Sequence, residues 1–175
     1  MFTIHTIISK YYFNMRKIGF GGGCHWCTEA IFQSLKGVHK VEQGWLSSTP
    51  PNANFSEGVI VHYDEDIDLE TLIEIHLLTH SSASNHSMHH KYRSAVYYFE
   101  EQDREEAIFI INSFRIVDHV DYITQVLPYV DFRLNTQQYL NYYKKDKNKP
   151  FCQTYISPKL RLIRSQFAKS VRDDY

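Results

Sequence analysis

The sequence predicts an α+β fold, a mixed β-sheet sandwich with helices packed on it. Two observations support this class. Short segments rich in β-branched residues alternate with segments whose apolar residues recur at helical spacing. The connections between them vary too much in length for a doubly wound parallel sheet. With 175 residues, of which 43% are hydrophobic, the chain has the size of one domain with a substantial core.

The first predicted element begins near Met15, so residues 1–14 are interpreted as a peripheral N-terminal extension to a single domain at 15–175. The extension has an apolar patch, but its first lysine comes after the apolar residues and no small-residue cleavage site follows. This is a poor signal-peptide pattern. The apolar stretch is also too short to span a bilayer.

The first half of the domain is predicted to contain three strands and two helices. The first strand is broken by a triple glycine, after which CHWCTEAIFQSLKG has helical spacing and a glycine stop. STPPNANF is a loop by its Pro and Asn content. The second helix has apolar residues at i, i+3, i+4, i+7 and i+8 from Leu69. In chain order, the elements are a strand at 17–20, a helix from Cys24, strands at 38–46 and 57–63, and a helix from 69.

The second half is predicted to be richer in helix. A strand is expected at 94–99, and Ala107, Ile108, Ile111 and Phe114 define the helix that follows it. The segment 122–132 is interpreted as a strand with an irregular end. Helices are expected at 136–145 and 158–169, on either side of the segment KNKPFCQTYI.

The composition excludes several functional classes. The chain has 19 Lys and Arg against 20 Asp and Glu, a net charge of -1, so no long-range field attracts nucleic acid or a membrane surface. Its three cysteines, an odd number, do not form the disulfide framework of a small secreted domain. We therefore expect a cytoplasmic monomer that uses thiol chemistry.

Cys24 is the strongest candidate for a reactive residue. Three glycines precede it and remove side-chain bulk from the approach to its thiol. The helix predicted to begin there directs unpaired N–H groups and its positive dipole end at the sulfur, which favours the thiolate. A small buried apolar cysteine is the simpler alternative, but it requires neither feature.

Cys27 completes a C-x-x-C motif with Cys24. The spacing alone is compatible with a thioredoxin-like redox pair or with half of a metal site. The other candidate metal ligands are His86, His89 and His90, whose spacing matches no standard zinc pattern. We interpret them as a solvated polar loop and predict no metal.

Four segments carry a resemblance to one family, the A-type peptide methionine sulfoxide reductases. GGGCHWCTEAIFQSLKGV is similar to the signature that places Cys, an aromatic residue and Trp after a glycine pair. FSEGVIVHYDEDIDLETLIEIHLLTH resembles the family's acidic strand and following helix, KYRSAVYYFEEQDREEA its Gln-Tyr-Arg-Ser-Ala strand, and TQQYLNYYKKDKNKPFC its terminal Gln-Tyr-Leu stretch. Together they cover the chain from about 17 to 169 in the family's order.

The resemblance implies reduction of methionine S-sulfoxide, free or in proteins, on a ferredoxin-like α+β core. It implies no cofactor, with electrons supplied by thioredoxin or another thiol reductant. Cys24 would attack the sulfoxide sulfur and become a sulfenic acid, Glu57 would protonate the oxygen, and the Tyr92 hydroxyl would hydrogen-bond it. Trp26 would form an apolar wall for the substrate's methyl group.

Three positions depart from the family pattern. His25 stands where the family has phenylalanine and adds a titratable group near the substrate methyl. The shortened segment GWLSSTPPNANF leaves the second oxygen-binding tyrosine without a counterpart. Ser87 replaces an aspartate five residues before Tyr92, and the adjacent His86 is a candidate substitute. Glu29 matches the signature, but its place within the helix favours a structural contact.

The sulfenic acid needs a thiol to resolve it, and Cys152, Cys27 or an external thiol are the candidates. A disulfide within one helical turn is strained, which favours Cys152 slightly. Two other functions stay open on the sequence. One is a thioredoxin-like dithiol oxidoreductase using Cys24 and Cys27, and the other is a non-catalytic module that binds oxidised methionine.

Overall fold

The computed structural model describes residues 15–83 and 91–175. These residues form one six-stranded sheet in the order β5-β4-β1-β3-β2-β6. All neighbouring strands are antiparallel except β4 and β5, which are parallel. The strands are β1 (Arg16–Gly21), β2 (Val38–Ser47), β3 (Ser56–Tyr63), β4 (Ala95–Tyr98), β5 (Gln125–Pro128) and β6 (Asp131–Leu134). The predicted α+β class and mixed sheet are confirmed.

The helices pack on this sheet and enclose the main core. They are α1 (His25–Gln33), α2 (Leu69–Thr79), α3 (Glu101–Asp118), α4 (Tyr142–Lys145), a π-helix (Cys152–Ile156), α5 (Ser157–Gln166) and a 3₁₀ turn (Ala168–Ser170). The core combines the β-branched residues of β1 and β3 with the apolar faces of α1, α2 and α3. Ile18, Phe20 and Val59 are fully buried in it, which is expected for the central strands of a covered sheet.

Two residue pairs in the central sheet position the candidate site. Gly21, at the end of β1, is opposite Gly58 on β3, and Trp45 on β2 is opposite Glu57 on β3. A Cβ on Gly44 would lie 2.0 Å from the carbonyl oxygen of Arg133, so β6 can approach β2 only because residue 44 is glycine. The chain therefore leaves β1 towards α1 close to the beginning of β3, where Glu57 lies.

The predicted strand at 122–132 is instead two strands at opposite edges of the sheet. β5 pairs with β4 at one edge and β6 pairs with β2 at the other. β5 ends at Pro128, which has no N–H to continue a ladder. The chain then crosses from one edge to the other, a path that local residue patterns do not encode.

One prediction for the C-terminal region is wrong. The expected helix at 136–145 is mostly turns, and only Tyr142–Lys145 is helical. Its N-terminal boundary, Asn141, has a left-handed φ of 54°, and the N–H groups of Asn141 and Tyr142 bind the Glu29 carboxylate instead of helix carbonyls. The segment KNKPFCQTYI, for which the sequence predicts no element, contains the π-helix Cys152–Ile156, which continues directly into α5.

Within residues 15–83 and 91–175, no helix has both the length and the apolar run that crossing a membrane requires. The predicted extension at 1–14 lies outside the described residues, as does the loop with Ser87 and the three candidate histidines, His86, His89 and His90.

Candidate active site

The Cys24 thiol lies at the junction of a glycine loop and a helix N-terminus. Gly22 and Gly23 have φ values of +121° and +93°, which L side chains rarely adopt, and turn the chain from β1 into α1. Cys24 is the N-terminal cap of α1, with an extended backbone. The backbone N–H groups of Trp26 and Cys27 point at its sulfur. The structure therefore supports the thiolate-favouring geometry that the sequence predicts.

Several contacts lower the pKa of Cys24 to about 7. The largest is a hydrogen bond that the Cys27 thiol donates to the Cys24 sulfur. Burial opposes the shift, the two backbone N–H groups add to it, and the negative charge of Glu57 opposes it. The pKa of Cys27 is raised, because its proton is held between the two sulfurs and because it is buried. Cys24 is thus the thiolate of the pair.

Glu57 meets Cys24 at the same helix end. It is 6% exposed, and its Oε2 accepts a 3.2 Å hydrogen bond from the backbone N–H of His25, the residue after Cys24. Its other oxygen, Oε1, lies 3.4 Å from Nζ of Lys91. The backbone N–H of Glu57 donates to the carbonyl of Lys91 at 2.9 Å, which fixes this turn against β3. A carboxyl group and a low-pKa thiol therefore share one helix N-terminus.

His25 is buried, and its ring is held by two neutral partners. Its Nδ1 lies 3.2 Å from the carbonyl of Gly44, so this nitrogen carries the proton, and Nε2 accepts from the Asn135 amide at 3.4 Å. Burial lowers the pKa of His25, while the charge of Glu57, whose Oε2 is 3.6 Å from Nδ1, raises it. His25 is a neutral, oriented side chain at neutral pH.

Tyr92 lies in the turn before β4, half-buried, beside Lys91. The Lys91 ammonium lies 5.1 Å from the centre of the Tyr92 ring, a cation–π contact, and also contacts Glu57. Lys91 thereby connects Tyr92 to the carboxyl group. Sequence reasoning did not single out Lys91, although it occupies the position at which the resembling family has glutamine.

Trp26 is not an open wall, because aromatic residues from the C-terminal segment cover it. Its indole stacks on Tyr142 with ring centres 4.1 Å apart and planes 1° apart. Tyr139 stacks at 5.9 Å, and Phe151 meets the ring edge-on at 5.3 Å. No local sequence pattern indicates this cover, because the partners lie more than a hundred residues away.

Glu29 binds the segment that carries this aromatic cover to α1 through hydrogen bonds. Its buried carboxylate accepts hydrogen bonds from the N–H groups of Asn141 at 2.9 Å and Tyr142 at 3.3 Å, and from the Gln43 amide at 2.9 Å. Burial raises the pKa of Glu29, and these donors oppose the rise. Gln43 also accepts from Asn135, the residue that contacts His25. The structural contact expected for Glu29 is present.

The three cysteines belong to one apolar cluster. Cys27 and Cys152 are buried and Cys24 is partly buried, and all three are free thiols. Cys152 lies on the π-helix, a conformation that is rare and often occurs at functional sites. Both candidate resolving thiols therefore lie in the same cluster as Cys24, and Cys27 is the one that lowers the pKa of Cys24.

Two histidines that sequence reasoning missed, the buried His76 and the half-buried His80, support the glycine loop. His76 Nε2 donates to the carbonyl of Gly21 at 2.9 Å, and the His76 and His80 rings stack 4.1 Å apart. The Nδ1–H of His80 binds the His76 carbonyl, and its Nε2 accepts from the Ser94 hydroxyl at 2.7 Å. Burial lowers the pKa of His80 to about 4, so the ring is neutral. In the sequence, His76 was read only as part of a helical face.

The arrangement can carry out nucleophilic sulfur chemistry. It combines a thiolate, a carboxyl group, an ammonium group and a phenol around one helix end, with a second thiol in contact with the first. Among residues 15–83 and 91–175, no group of three or more His, Cys, Asp or Glu side chains is placed to hold a metal ion. Of the residues predicted to catalyse the reaction, bind substrate or resolve the intermediate, His86 falls outside the region that the structure describes.

A family model described as peptide methionine sulfoxide reductase matches residues 16–171. A peptide methionine sulfoxide reductase MsrA from Psychrobacter sp. (strain PRwf-1) is 34% identical over 170 residues, covering 87% of this chain and 97% of the relative.

Solved structures show the same fold. Mxr1 from Saccharomyces cerevisiae in reduced form matches with a TM-score of 0.70 at 18% identity, covering 81% of this chain and 91% of that one. The same protein in complex with Trx2 matches with a TM-score of 0.59 at 18% identity, covering 71% of this chain and 84% of that one.

Proposed function

The chain belongs to the peptide methionine sulfoxide reductase family, and from this we propose that it reduces methionine S-sulfoxide, free or in proteins, with Cys24 as nucleophile. The observation that carries the proposal is the pairing of the low-pKa Cys24 thiol with the buried Glu57 carboxyl at the N-terminus of α1. Sulfoxide reduction requires a proton on the departing oxygen as well as a thiolate, and a carboxyl group beside the thiolate can supply that proton.

The chemistry requires one thiolate and one proton. The Cys24 thiolate attacks the electrophilic sulfur, the oxygen takes up a proton, and the sulfur–oxygen bond of the substrate breaks. The oxygen is transferred to Cys24 as a sulfenic acid, and methionine is released. Two electrons pass from the cysteine sulfur to the sulfoxide sulfur, so the atoms and electrons balance.

We assign the polar contacts to the oxygen from the groups around Cys24. The Glu57 carboxyl delivers the proton to the oxygen, and the Tyr92 hydroxyl donates a hydrogen bond to it. Neutral His25 and the aromatic rings beside Trp26 exclude water from the methyl group, which strengthens the polar contacts on the oxygen side.

We assign resolution of the sulfenic acid first to Cys27. Its thiol contacts the Cys24 sulfur, and Cys24 has an extended backbone as the helix cap, so the strain expected for a disulfide inside a helical turn is reduced. Attack by Cys27 forms the Cys24–Cys27 disulfide and releases water. Cys152, in the same cluster, is the alternative resolving thiol.

The disulfide must then be reduced by an external dithiol, and we propose thioredoxin in this role. The support is the similarity of the fold to Mxr1, which has been solved in complex with Trx2. No cofactor is required in this cycle, because both electron pairs move between sulfur atoms.

The test is turnover of separate methionine S- and R-sulfoxide samples with dithiothreitol as reductant, with methionine read by chromatography. Wild-type protein should reduce only the S form, and Cys24→Ser should abolish the reaction. Peptide mapping after one turnover without reductant should give a Cys24–Cys27 disulfide, and Cys24–Cys152 would reassign resolution to Cys152. Reduction of insulin disulfides with no sulfoxide turnover would instead identify a dithiol oxidoreductase, and binding of the sulfoxide with no thiol consumed would identify a binding module.

A further inference from the structure

A lysine lies on the aromatic cover of Trp26. The Lys149 ammonium is 4.4 Å from the centre of the Tyr142 ring, and Tyr142 stacks in turn on Trp26 with ring centres 4.1 Å apart. Trp26 is two residues from the nucleophile, Cys24. Burial raises the pKa of Cys152, and the charge of Lys149 opposes this rise. A positive charge is therefore placed beside the thiol cluster.

Lys149 belongs to a segment with an unbalanced positive charge. Residues 141–149 contain four lysines and one aspartate, although the net charge of the whole chain is -1. Within residues 15–83 and 91–175, the lysines that form ion pairs with carboxylates are Lys40 and Lys91. The half-buried Lys149 is held by the tyrosine ring instead, so its ammonium is available to an external carboxylate.

The aspartate of this segment, Asp146, offsets only part of that charge. Its Oδ1 accepts a 2.9 Å hydrogen bond from the backbone N–H of Asn148. Its negative charge adds to burial in raising the pKa of Tyr142 and of Cys152, so it acts on the same region as Lys149. The attraction between Lys149 and an external carboxylate is therefore that of a single exposed ion pair, not that of a strongly basic surface.

The distance of Lys149 from the site fits a neighbour of the reacting residue in a peptide substrate. The two contacts place the ammonium within about 9 Å of the Trp26 ring, and an extended chain advances about 3.3 Å per residue. A carboxylate side chain one or two residues from a methionine sulfoxide held beside Trp26 can thus reach Lys149.

On the basis of the proposed function, we propose that Lys149 is a specificity-determining residue that favours peptide and protein substrates with an aspartate or glutamate close to the methionine sulfoxide. The ammonium binds the substrate carboxylate, and the Tyr142 ring holds the ammonium in place. The contact is the same before and during attack by Cys24, so it changes KM and leaves the chemical step alone.

The experiment compares three blocked peptides with one central methionine S-sulfoxide, flanked on both sides by glutamate, by glutamine or by lysine. Dithiothreitol drives turnover, and methionine is read by chromatography. At low salt, kcat/KM of the wild type should be about three- to fivefold higher for the glutamate peptide than for the glutamine peptide, and lowest for the lysine peptide. The difference should disappear as the Debye length falls from about 30 Å at 0.01 M salt to about 3 Å at 1 M.

Two variants of Lys149 and one matched control assign the preference to this residue. Lys149→Gln should lower the glutamate-to-glutamine ratio of kcat/KM to about one, and Lys149→Arg should retain the ratio because a guanidinium also stacks on tyrosine and binds carboxylates. Lys147→Gln is the control, because it removes one charge from the same segment. Its ammonium lies over the rings of Tyr143 and Tyr175, at 5.5 and 5.6 Å, which are not part of the cover on Trp26. Its ratio should equal that of the wild type.

The proposal fails if the wild type reduces the glutamate and glutamine peptides equally well at low salt, or if Lys149→Gln keeps the preference. An equal loss in Lys147→Gln would assign the preference to the general charge of the segment and would also overturn it. If Lys149→Gln lowers only turnover driven by thioredoxin, the lysine binds the reductant and not the substrate. Wild-type protein that forms no methionine from any of the peptides would instead overturn the proposed function.

Discussion

Replacing Cys27 by alanine tests the electrostatic origin of Cys24 reactivity. In the wild type, a pKa of about 7 leaves about half of Cys24 as thiolate at pH 7, whereas the ordinary value of 9.0 leaves about one part in a hundred. The Cys27 hydrogen bond is the largest cause of the shift, but the N–H groups of Trp26 and Cys27 remain in the variant. We expect the pKa to rise by about one unit, about 1.4 kcal/mol, which lowers the thiolate fraction at pH 7 about fivefold.

The assay is the rate of alkylation by iodoacetamide between pH 5.5 and pH 10, in a Cys152→Ala background. The rate should rise as pH increases through about 7 in the parent, and through a midpoint about one unit higher in Cys27→Ala. The midpoint is the quantity to compare, because a more basic thiolate is also intrinsically more nucleophilic and partly offsets the lost fraction.

Cys27→Ser is the matched control, since its hydroxyl can still donate to Cys24. Its midpoint should stay within a few tenths of a unit of the parent. The reasoning is refuted if the alkylation rate of Cys27→Ala has the same pH midpoint as that of the parent. A parent midpoint near 9 would show that neither the thiol nor the helix N-terminus activates Cys24.

Two further predictions concern the supports of the site. Glu29→Ala removes the acceptor of three hydrogen bonds and should lower the free energy of unfolding in urea by about 2–4 kcal/mol. The control is Glu101→Ala at an exposed position, which should change the free energy of unfolding by less than about 1 kcal/mol. If the two variants unfold at the same urea concentration, Glu29 does not anchor the segment. Gly22→Ala places a Cβ 2.6 Å from the His80 ring at a φ of +121°. It should slow Cys24 alkylation and lower the free energy of unfolding by about 1–3 kcal/mol. Adding His80→Ala should recover part of both losses, and purely additive effects would exclude the clash.

The sequence predicts the local setting of Cys24 well because its determinants are local. Triple glycine, helix start and C-x-x-C spacing all lie within seven residues, and the structure reproduces them. Glu57 is different, because strand register and the path from β1 to α1 bring it beside the start of α1. Only the family resemblance supplied that long-range information, and it could not supply Lys91, where this chain departs from the family.

The errors of prediction occur where tertiary hydrogen bonds override local propensity. The segment before α4 has the composition of a helix, yet its N–H groups bind Glu29, which lies on α1. No pattern within 136–145 reports a carboxylate from a different part of the chain. The same reason explains why the aromatic cover on Trp26 was not expected.

The C-terminal segment therefore connects two parts of the site that the sequence treats separately. Tyr142, which covers Trp26, and Cys152, the alternative resolving thiol, lie ten residues apart on this segment, and Phe151 contacts both Trp26 and Tyr142. Glu29 fixes the near end of the segment to α1, while α5 holds the far end. A displacement large enough to bring buried Cys152 to solvent must also disturb the stack on Trp26. Resolution through Cys152 would thus disturb the aromatic stack on Trp26, whereas resolution through Cys27 leaves that stack intact.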